Sequence, residues 1–128
     1  MTKHEAVLEQ FRKATGRLRE ALATEKSDIV RDSAILRFEI SMDLSWKTLK
    51  AVLESKFGVA CHSPKGCFRE AFKQGIIEYD EAWLDYVDMR NETAHAYKES
   101  LAEELFSRLP EVLKHFDDLI NALDVKSR

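Results

Sequence analysis

The chain has 128 residues, which is enough for one domain with a buried core and too few for two. Its formal net charge of −3 excludes broad, nonspecific coating of nucleic acid, although a small basic pocket for one or two phosphates stays compatible with it. The first residues run directly into an amphipathic pattern without a signal-peptide stretch, and no segment reaches the ~18 apolar residues of a membrane span. We therefore expect a soluble cytoplasmic protein with no membrane partner.

Apolar residues at helical spacing predict a first helix over residues 3–24 and a second helix from about residue 28 to residue 57. Asp28 is the expected N-cap of the second helix, and Gly58 is placed to end it. The buried seam predicted for the second helix alternates steps of three and four residues. It consists of Ile35, Phe38, Met42, Ser45 with Trp46, Leu49, and Val52 with Leu53.

Start and stop signals also divide the central part of the chain. Ser63 followed by Pro64 predicts the start of a short third helix, and Gly75 predicts its end. Asp80 is expected to cap a fourth helix that begins at Glu81.

The last predicted helix opens with a capping box from Ser100 to Glu103. Pro110 should introduce a kink, and the residues after Val125 should fray. Its predicted apolar face is Leu101, Leu105, Leu109, Val112, Phe116, Leu119 with Ile120, and Leu123. With no period-two strand pattern and no linker, the sequence predicts an all-α fold: an up-and-down bundle of four main helices plus one short helix, in a single domain over residues 1–128.

The two cysteines and the isolated histidines carry no predicted chemistry. Cys61 and Cys67 are expected to be reduced, because the chain shows no secretory signal. Their spacing with His62 fits no common zinc pattern, so we expect neither a metal nor a cofactor. His4 and His115 sit among charged residues and are expected to be solvated.

The segment from Arg90 to Tyr97 brings a guanidinium, an imidazole and a phenol close together. On a continuous helix, Arg90 would share a core-facing stripe with Trp83, Val87, Ala94 and Tyr97. An arginine on such a stripe is costly to bury unless it meets an anion or a carboxylate. Two explanations stay open: a phosphate ligand, or an interior acid such as Glu39 or Asp85.

Five ordered blocks between about residues 30 and 100 resemble the nucleotidyltransferase substrate-binding protein family of the HEPN superfamily. The blocks are Ile35 to Lys50, Ser63 to Lys65, Arg69 to Phe72, Trp83 with Leu84, and Arg90 with Asn91, His95 and Tyr97. The resemblance implies a helical bundle that works as a homodimer, with a separate minimal nucleotidyltransferase encoded nearby as its partner.

In HepT-like relatives, such pairs behave as toxin and antitoxin. The resemblance implies that the HEPN protein is a metal-independent endoribonuclease and that the partner silences it by adenylylating the motif tyrosine. Carried over to this sequence, Arg90 and His95 would be the catalytic pair, and Tyr97 would be the modified residue. The alternative is a non-catalytic module that holds a substrate or nucleotide for the partner nucleotidyltransferase.

The residue types suit such chemistry. Histidine exchanges protons near neutral pH, and arginine binds phosphate oxygens with its planar fork. On a continuous helix, however, Arg90 and His95 would point about 140° apart. Either the helix bends within Asn91–Ala94, or two protomers combine their motifs at a two-fold interface, which is the arrangement we favour. Asn91, one turn before His95, is expected to support it by fixing the imidazole tautomer.

Overall fold

The computed structural model describes residues 1–126 and contains helices joined by short connections. The α-helices are α1 (Lys3–Leu22), α2 (Asp28–Val52), α3 (Pro64–Lys73), α4 (Ala82–Glu92) and α5 (Glu99–Lys126). A π-helical turn, Leu53–Phe57, extends α2, and a 3₁₀ turn, Thr93–His95, follows α4. No strand occurs within residues 1–126, so the predicted all-α bundle is confirmed. The predicted fraying after Val125 falls mostly outside the described residues.

Local signals in the sequence fix most helix ends. The hydroxyl of Ser27, and not Asp28 as predicted, caps α2 by accepting a hydrogen bond from the backbone N–H of Val30 at 3.1 Å. Gly58 ends the π-helical turn with a φ of 64°, a conformation that glycine adopts without strain. Ser63 caps α3 as predicted and accepts from the N–H of Gly66 at 3.0 Å.

The start of α4 agrees with prediction to one residue, and the start of α5 does not. Asp80 accepts a hydrogen bond from the N–H of Ala82, where α4 begins. Helix α5 already includes Ser100, and the carboxylate of Glu103 bonds to Lys26 and Arg31, so the predicted capping box is wrong. These long-range cations lie beyond the reach of a local sequence motif.

The core lies among the three long helices α1, α2 and α5. The ring of Phe116 on α5 lies 5.5 Å from that of Phe11 on α1 and 6.4 Å from that of Phe38 on α2, and all three are fully buried. The predicted seam of α2 and apolar face of α5 are buried, except that Trp46 and Leu101 are only partly covered. Burial of each such ring is worth roughly 1.5–3 kcal/mol, which makes these helices the frame of the fold.

Helices α3 and α4 attach to this frame through aromatic contacts. The ring of Trp83 stacks on Phe68 of α3 at 4.8 Å and lies 6.0 Å from Phe116 of α5. Trp83 thereby fixes the orientation of α4 two turns before the residues of the motif.

Both histidines expected to be solvated are instead held by the fold. His115 places Nε2 2.9 Å from Asp80 Oδ2 and Nδ1 3.0 Å from the hydroxyl of Tyr86. His4 is buried, with Nδ1 3.0 Å from the hydroxyl of Ser55. The prediction relied on charged neighbours in the sequence, whereas these partners come from other parts of the chain.

The expectation of two reduced cysteines is also contradicted. A disulfide joins Cys61 in the loop before α3 to Cys67 in α3, with Cα atoms 5.1 Å apart. Helix α3 begins between the two cysteines, with Ser63 as its N-cap. The chain turns back at this point and brings Cys61 and Cys67 together.

Within residues 1–126, no helix combines the length and the apolar content that crossing a bilayer requires.

A buried arginine ties α2 to α5. The side chain of Arg31 is almost fully buried, and its Nη1 lies 3.0 Å from Glu103 Oε1. Hydrogen bonds from Lys26 and from Arg31 lower the pKa of Glu103 below its ordinary value of 4.5. A carboxyl group whose pKa is lower in the folded state stabilises the fold above its unfolded pKa and loses that contribution as the pH falls through the folded value.

We therefore predict that Glu103→Gln makes the stability less sensitive to acid. The free energy of unfolding of the wild type should fall between pH 5 and pH 3 by more than that of the variant, because the variant has no charge to lose. Urea unfolding at both pH values measures the difference. Glu104→Gln, a neighbouring exposed acid without an ion pair within residues 1–126, is the matched control and should behave as the wild type. Equal acid sensitivity in Glu103→Gln would contradict the prediction.

Candidate functional site

The motif lies where α4 ends, and it does not continue as one helix. Helix α4 stops at Glu92, and Thr93–His95 form a 3₁₀ turn before the chain turns into α5. The hydroxyl of Thr93 lies 2.7 Å from the carbonyl oxygen of Arg90 and 3.3 Å from Glu39 Oε2. A threonine hydroxyl that bonds the backbone of the preceding turn competes with helical hydrogen bonding, which suits this change of helix type.

The end of α4 overturns the predicted stripe. Trp83 and Val87 are buried as expected, and Arg90 is partly buried, but Ala94 is exposed and Tyr97 is 77% exposed. Because the regular helix is lost within Asn91–Ala94, the angle of about 140° expected between Arg90 and His95 on a continuous helix does not apply.

Arg90 is clasped by acids of α2. Its Nε donates to Asp43 Oδ1 at 2.8 Å and its Nη2 to Asp43 Oδ2 at 3.1 Å, a bidentate pair, while Nη2 lies 3.5 Å from Glu39 Oε1. The hydrogen bonds to Asp43 raise the pKa of Arg90 above its ordinary value, although partial burial opposes them. Glu39 was foreseen as a partner, Asp85 is not one, and Asp43 was missed.

The clasp is open to solvent on one side. The side chain of Arg90 is 28% exposed, and those of Glu39 and Asp43 are about equally accessible. Beside it lies a cleft of about 190 Å³ between α2, α4 and the start of α3. The cleft is lined by Met42, Asp43, Trp46, Pro64, Val87, Arg90 and Asn91.

His95 and Tyr97 form the exposed part of the motif. Their ring centroids are 6.3 Å apart, with the rings inclined by 70°. Within residues 1–126, neither side chain is bonded to Arg90. Both residues are exposed, so their rings are accessible to a ligand or a second protein.

Asn91 does not support His95 as predicted. It is exposed and lines the cleft beside Arg90, and within the described part of the chain it makes no hydrogen bond to the imidazole. The expected one-turn relation between the two residues is lost because α4 ends between them.

The charges around Arg90 oppose the binding of a phosphate by a single chain. Arg90 contributes one positive charge, and Glu39 and Asp43 contribute two negative charges, which leaves the cluster net negative near neutral pH. A phosphate would meet repulsion there unless it displaced a carboxylate or met further cations. Asp43 could have been found from sequence, because it lies one helical turn after Glu39 on the same face of α2.

Comparison with known proteins identifies the family of this chain. A family model described as nucleotidyltransferase substrate binding protein like matches residues 6–125, and the chain belongs to this family. A Haemophilus influenzae protein described as a probable ribonuclease HepT is 30% identical over 103 residues, which cover 74% of this chain and 70% of the relative.

Two solved structures are similar over most of the chain. One, of a protein from Thermus thermophilus, has 38% identity and a TM-score of 0.83 and covers 88% of this chain and 98% of its own. The other, from Haemophilus influenzae, is described as the fold of a substrate binding domain of a nucleotidyltransferase. It has 24% identity and a TM-score of 0.68, covers 94% of this chain and 96% of its own, and supports the fold alone.

We predict that Asp43→Asn destabilises the protein only slightly, by about 0.2–1 kcal/mol, because ion pairs accessible to solvent contribute little. Urea unfolding at neutral pH measures the change. Asp118→Asn, which changes an exposed acid inside α5 without an ion pair within residues 1–126, is the matched control and should leave the stability unchanged. A loss of about 3 kcal/mol or more would instead show a clasp that behaves as a sealed, buried pair.

Proposed function

We propose that this chain is the HEPN subunit of a two-component, toxin–antitoxin-like nucleotidyltransferase system, and that its homodimer cleaves RNA without a metal ion. Arg90 and His95 are the proposed catalytic pair. Tyr97 is the proposed site at which a minimal nucleotidyltransferase, encoded nearby, attaches an adenylyl group. The observation that carries the proposal is the end of α4 at Glu92, which leaves His95 and Tyr97 exposed near a partly accessible Arg90.

The proposed reaction needs no metal ion. The ribose 2′-oxygen attacks phosphorus while its proton passes to His95, and the bond from phosphorus to the 5′-oxygen breaks. The leaving oxygen takes up a proton from solvent and His95 returns its proton to solvent, so that a cyclic phosphate and a 5′-hydroxyl result. Arg90 stabilises the negative charge that develops on the phosphorus oxygens. The similarity to a probable ribonuclease supports this assignment.

A dimer accounts for what a single chain lacks. Leu36 and Ile40 are large apolar side chains exposed one turn apart on α2, and by helical geometry they flank Glu39 and Asp43. A two-fold contact over these residues would bury them and bring a second motif to the same cleft. The second protomer would also bring its own Glu39 and Asp43, so a phosphate must still displace a carboxylate from Arg90.

Phosphate binding requires Arg90 to exchange its partner. Because the pair with Asp43 is accessible to solvent, its net contribution is about 1 kcal/mol or less, and a phosphate oxygen can replace a carboxylate oxygen at small cost. The guanidinium presents the same fork to either anion.

One observation favours the alternative function. Arg90 is already bound in a bidentate manner by Asp43, an arrangement that suits a residue holding α4 in place. In that case the chain is a non-catalytic module, and the cleft beside Trp46 and Asn91 holds a substrate or nucleotide for the partner nucleotidyltransferase.

We predict that Arg90→Ala and His95→Ala each lower RNA cleavage by about 100-fold or more, because each removes a group that acts in the transition state. Cleavage of labelled RNA, with and without chelator, measures the effect, and circular dichroism verifies the fold. Arg69→Ala and His62→Ala, which change exposed residues of the same types, are controls and should retain activity. Cleavage that chelator abolishes, or that both motif variants retain, would exclude the proposal. Nucleotide binding that depends on Arg90 without any cleavage would establish the alternative.

Mixing the two inactive variants tests the shared site. In a random mixture of the two variants, half of the dimers are heterodimers. If Arg90 of one protomer works with His95 of the other, each heterodimer has one intact site out of two. About a quarter of the wild-type activity should then return. If both residues act within one chain, no activity returns.

For Tyr97, we predict that co-expression with the nucleotidyltransferase adds the mass of one adenylyl group to the intact protein and lowers its RNA cleavage. Tyr97→Phe should prevent the addition because the phenolic oxygen is missing. Tyr79→Phe is the matched control, because Tyr79 is also exposed. This variant should still be modified. Modification of both variants, or of neither, would contradict the assignment to Tyr97.

A further inference from the structure

A second cleft lies between the end of α1 and the first turns of α2, away from the motif. Its volume is about 200 Å³, and it shares no lining residue with the cleft beside Arg90. It is lined by Arg17, Glu20, Ala21, Thr24, Val30, Ser33 and Arg37.

The charge in this cleft is only partly balanced. Arg17 pairs with Glu20 at 3.1 Å, but Arg37 has no carboxylate within 4.0 Å among residues 1–126. Arg37 is also half-buried, whereas Arg90 and the buried Arg31 each have acids as partners. A partly desolvated guanidinium without a counter-charge is costly, and an anionic ligand would relieve that cost.

A hydroxyl donor stands beside this guanidinium. Ser33 precedes Arg37 by one turn of α2, so both side chains lie on the same face of the helix and line the same cleft. The hydroxyl of Ser33 has no hydrogen-bond partner within residues 1–126, whereas that of Thr24 already donates to the carbonyl oxygen of Glu20 at 2.7 Å. A planar fork with an adjacent free hydroxyl suits the oxygens of a phosphate group.

We propose that this cleft binds a backbone phosphate of the RNA substrate outside the cleavage site, with Arg37 as the principal contact and Ser33 as a second donor. The identity of the ligand rests on the proposed ribonuclease function, and the preference for an anion rests on the cleft alone. Such a contact would hold the strand without reading its bases. Arg37 directly follows Leu36, so the cleft borders the proposed dimer surface, where a strand leaving the shared site would pass.

Binding of a non-cleavable, 2′-O-methylated RNA oligonucleotide to the full-length protein tests the inference. Fluorescence anisotropy at several salt concentrations should show weaker binding by Arg37→Gln and a log–log salt slope reduced by about 0.7, the loss of one phosphate contact with a single strand. Arg69→Gln removes an arginine that is exposed and also unpaired within residues 1–126, and it should leave affinity and slope unchanged. Arg37→Lys, which keeps the charge but not the fork, should keep the slope and bind more weakly.

Equal affinity and slope for Arg37→Gln and the wild type would overturn the inference, even if Arg90→Ala abolished cleavage. If cleavage is absent while RNA binding still depends on Arg37, the proposed ribonuclease fails and the phosphate site stands. Parallel titrations with inorganic phosphate and AMP separate the possible sources of the anion. Binding of these small anions that depends on Arg37, without binding of the oligonucleotide, would overturn the assignment to RNA.

Discussion

The ion pair between Arg90 and Asp43 joins α4 to α2 where the regular helix of α4 comes to an end. Its two hydrogen bonds fix the guanidinium. Thr93, at the start of the 3₁₀ turn, bonds to both Arg90 and Glu39. The exposure of His95 and Tyr97 follows from this anchoring, because the residues after Thr93 leave the packed face of α4. One cluster of polar contacts therefore both links α4 to α2 and lies beside the motif.

The same cluster limits the binding of a phosphate on electrostatic grounds. Two carboxylates against one guanidinium leave an excess of negative charge beside a cleft proposed to receive a phosphate. A two-fold arrangement would bring a second Arg90 together with a second Glu39 and Asp43, so a phosphate must still displace a carboxylate from the guanidinium. Arg37 differs, because it is a cation without a carboxylate partner among residues 1–126. Under the two proposals, Arg90 would have to release a carboxylate to bind a phosphate, and Arg37 would not.

Periodicity and local caps allowed most of the fold to be predicted. The seam of α2 and the apolar face of α5 are correct because burial follows the spacing of apolar residues. Several of the errors have the same cause, which is a partner far away in the sequence. Glu103 bonds to cations from another part of the chain instead of capping α5, and His115 meets Asp80 and Tyr86 instead of solvent. Cys61 and Cys67 join because the loop and α3 fold back on each other.

The sequence by itself determined the helices, the apolar faces that bury against one another, and the ordered residue blocks by which the family is recognised. The helices and their apolar faces depend on residues three or four positions apart, and the family blocks depend on residue order, so both can be read from the sequence. Only the tertiary structure decided that Arg90 meets Asp43, that α4 ends before His95, and that Arg37 lacks a carboxylate within the described residues. Each of these depends on how the helices pack. Arg90 and Asp43, for example, are 47 positions apart in the sequence, and side-chain packing rather than spacing makes them partners.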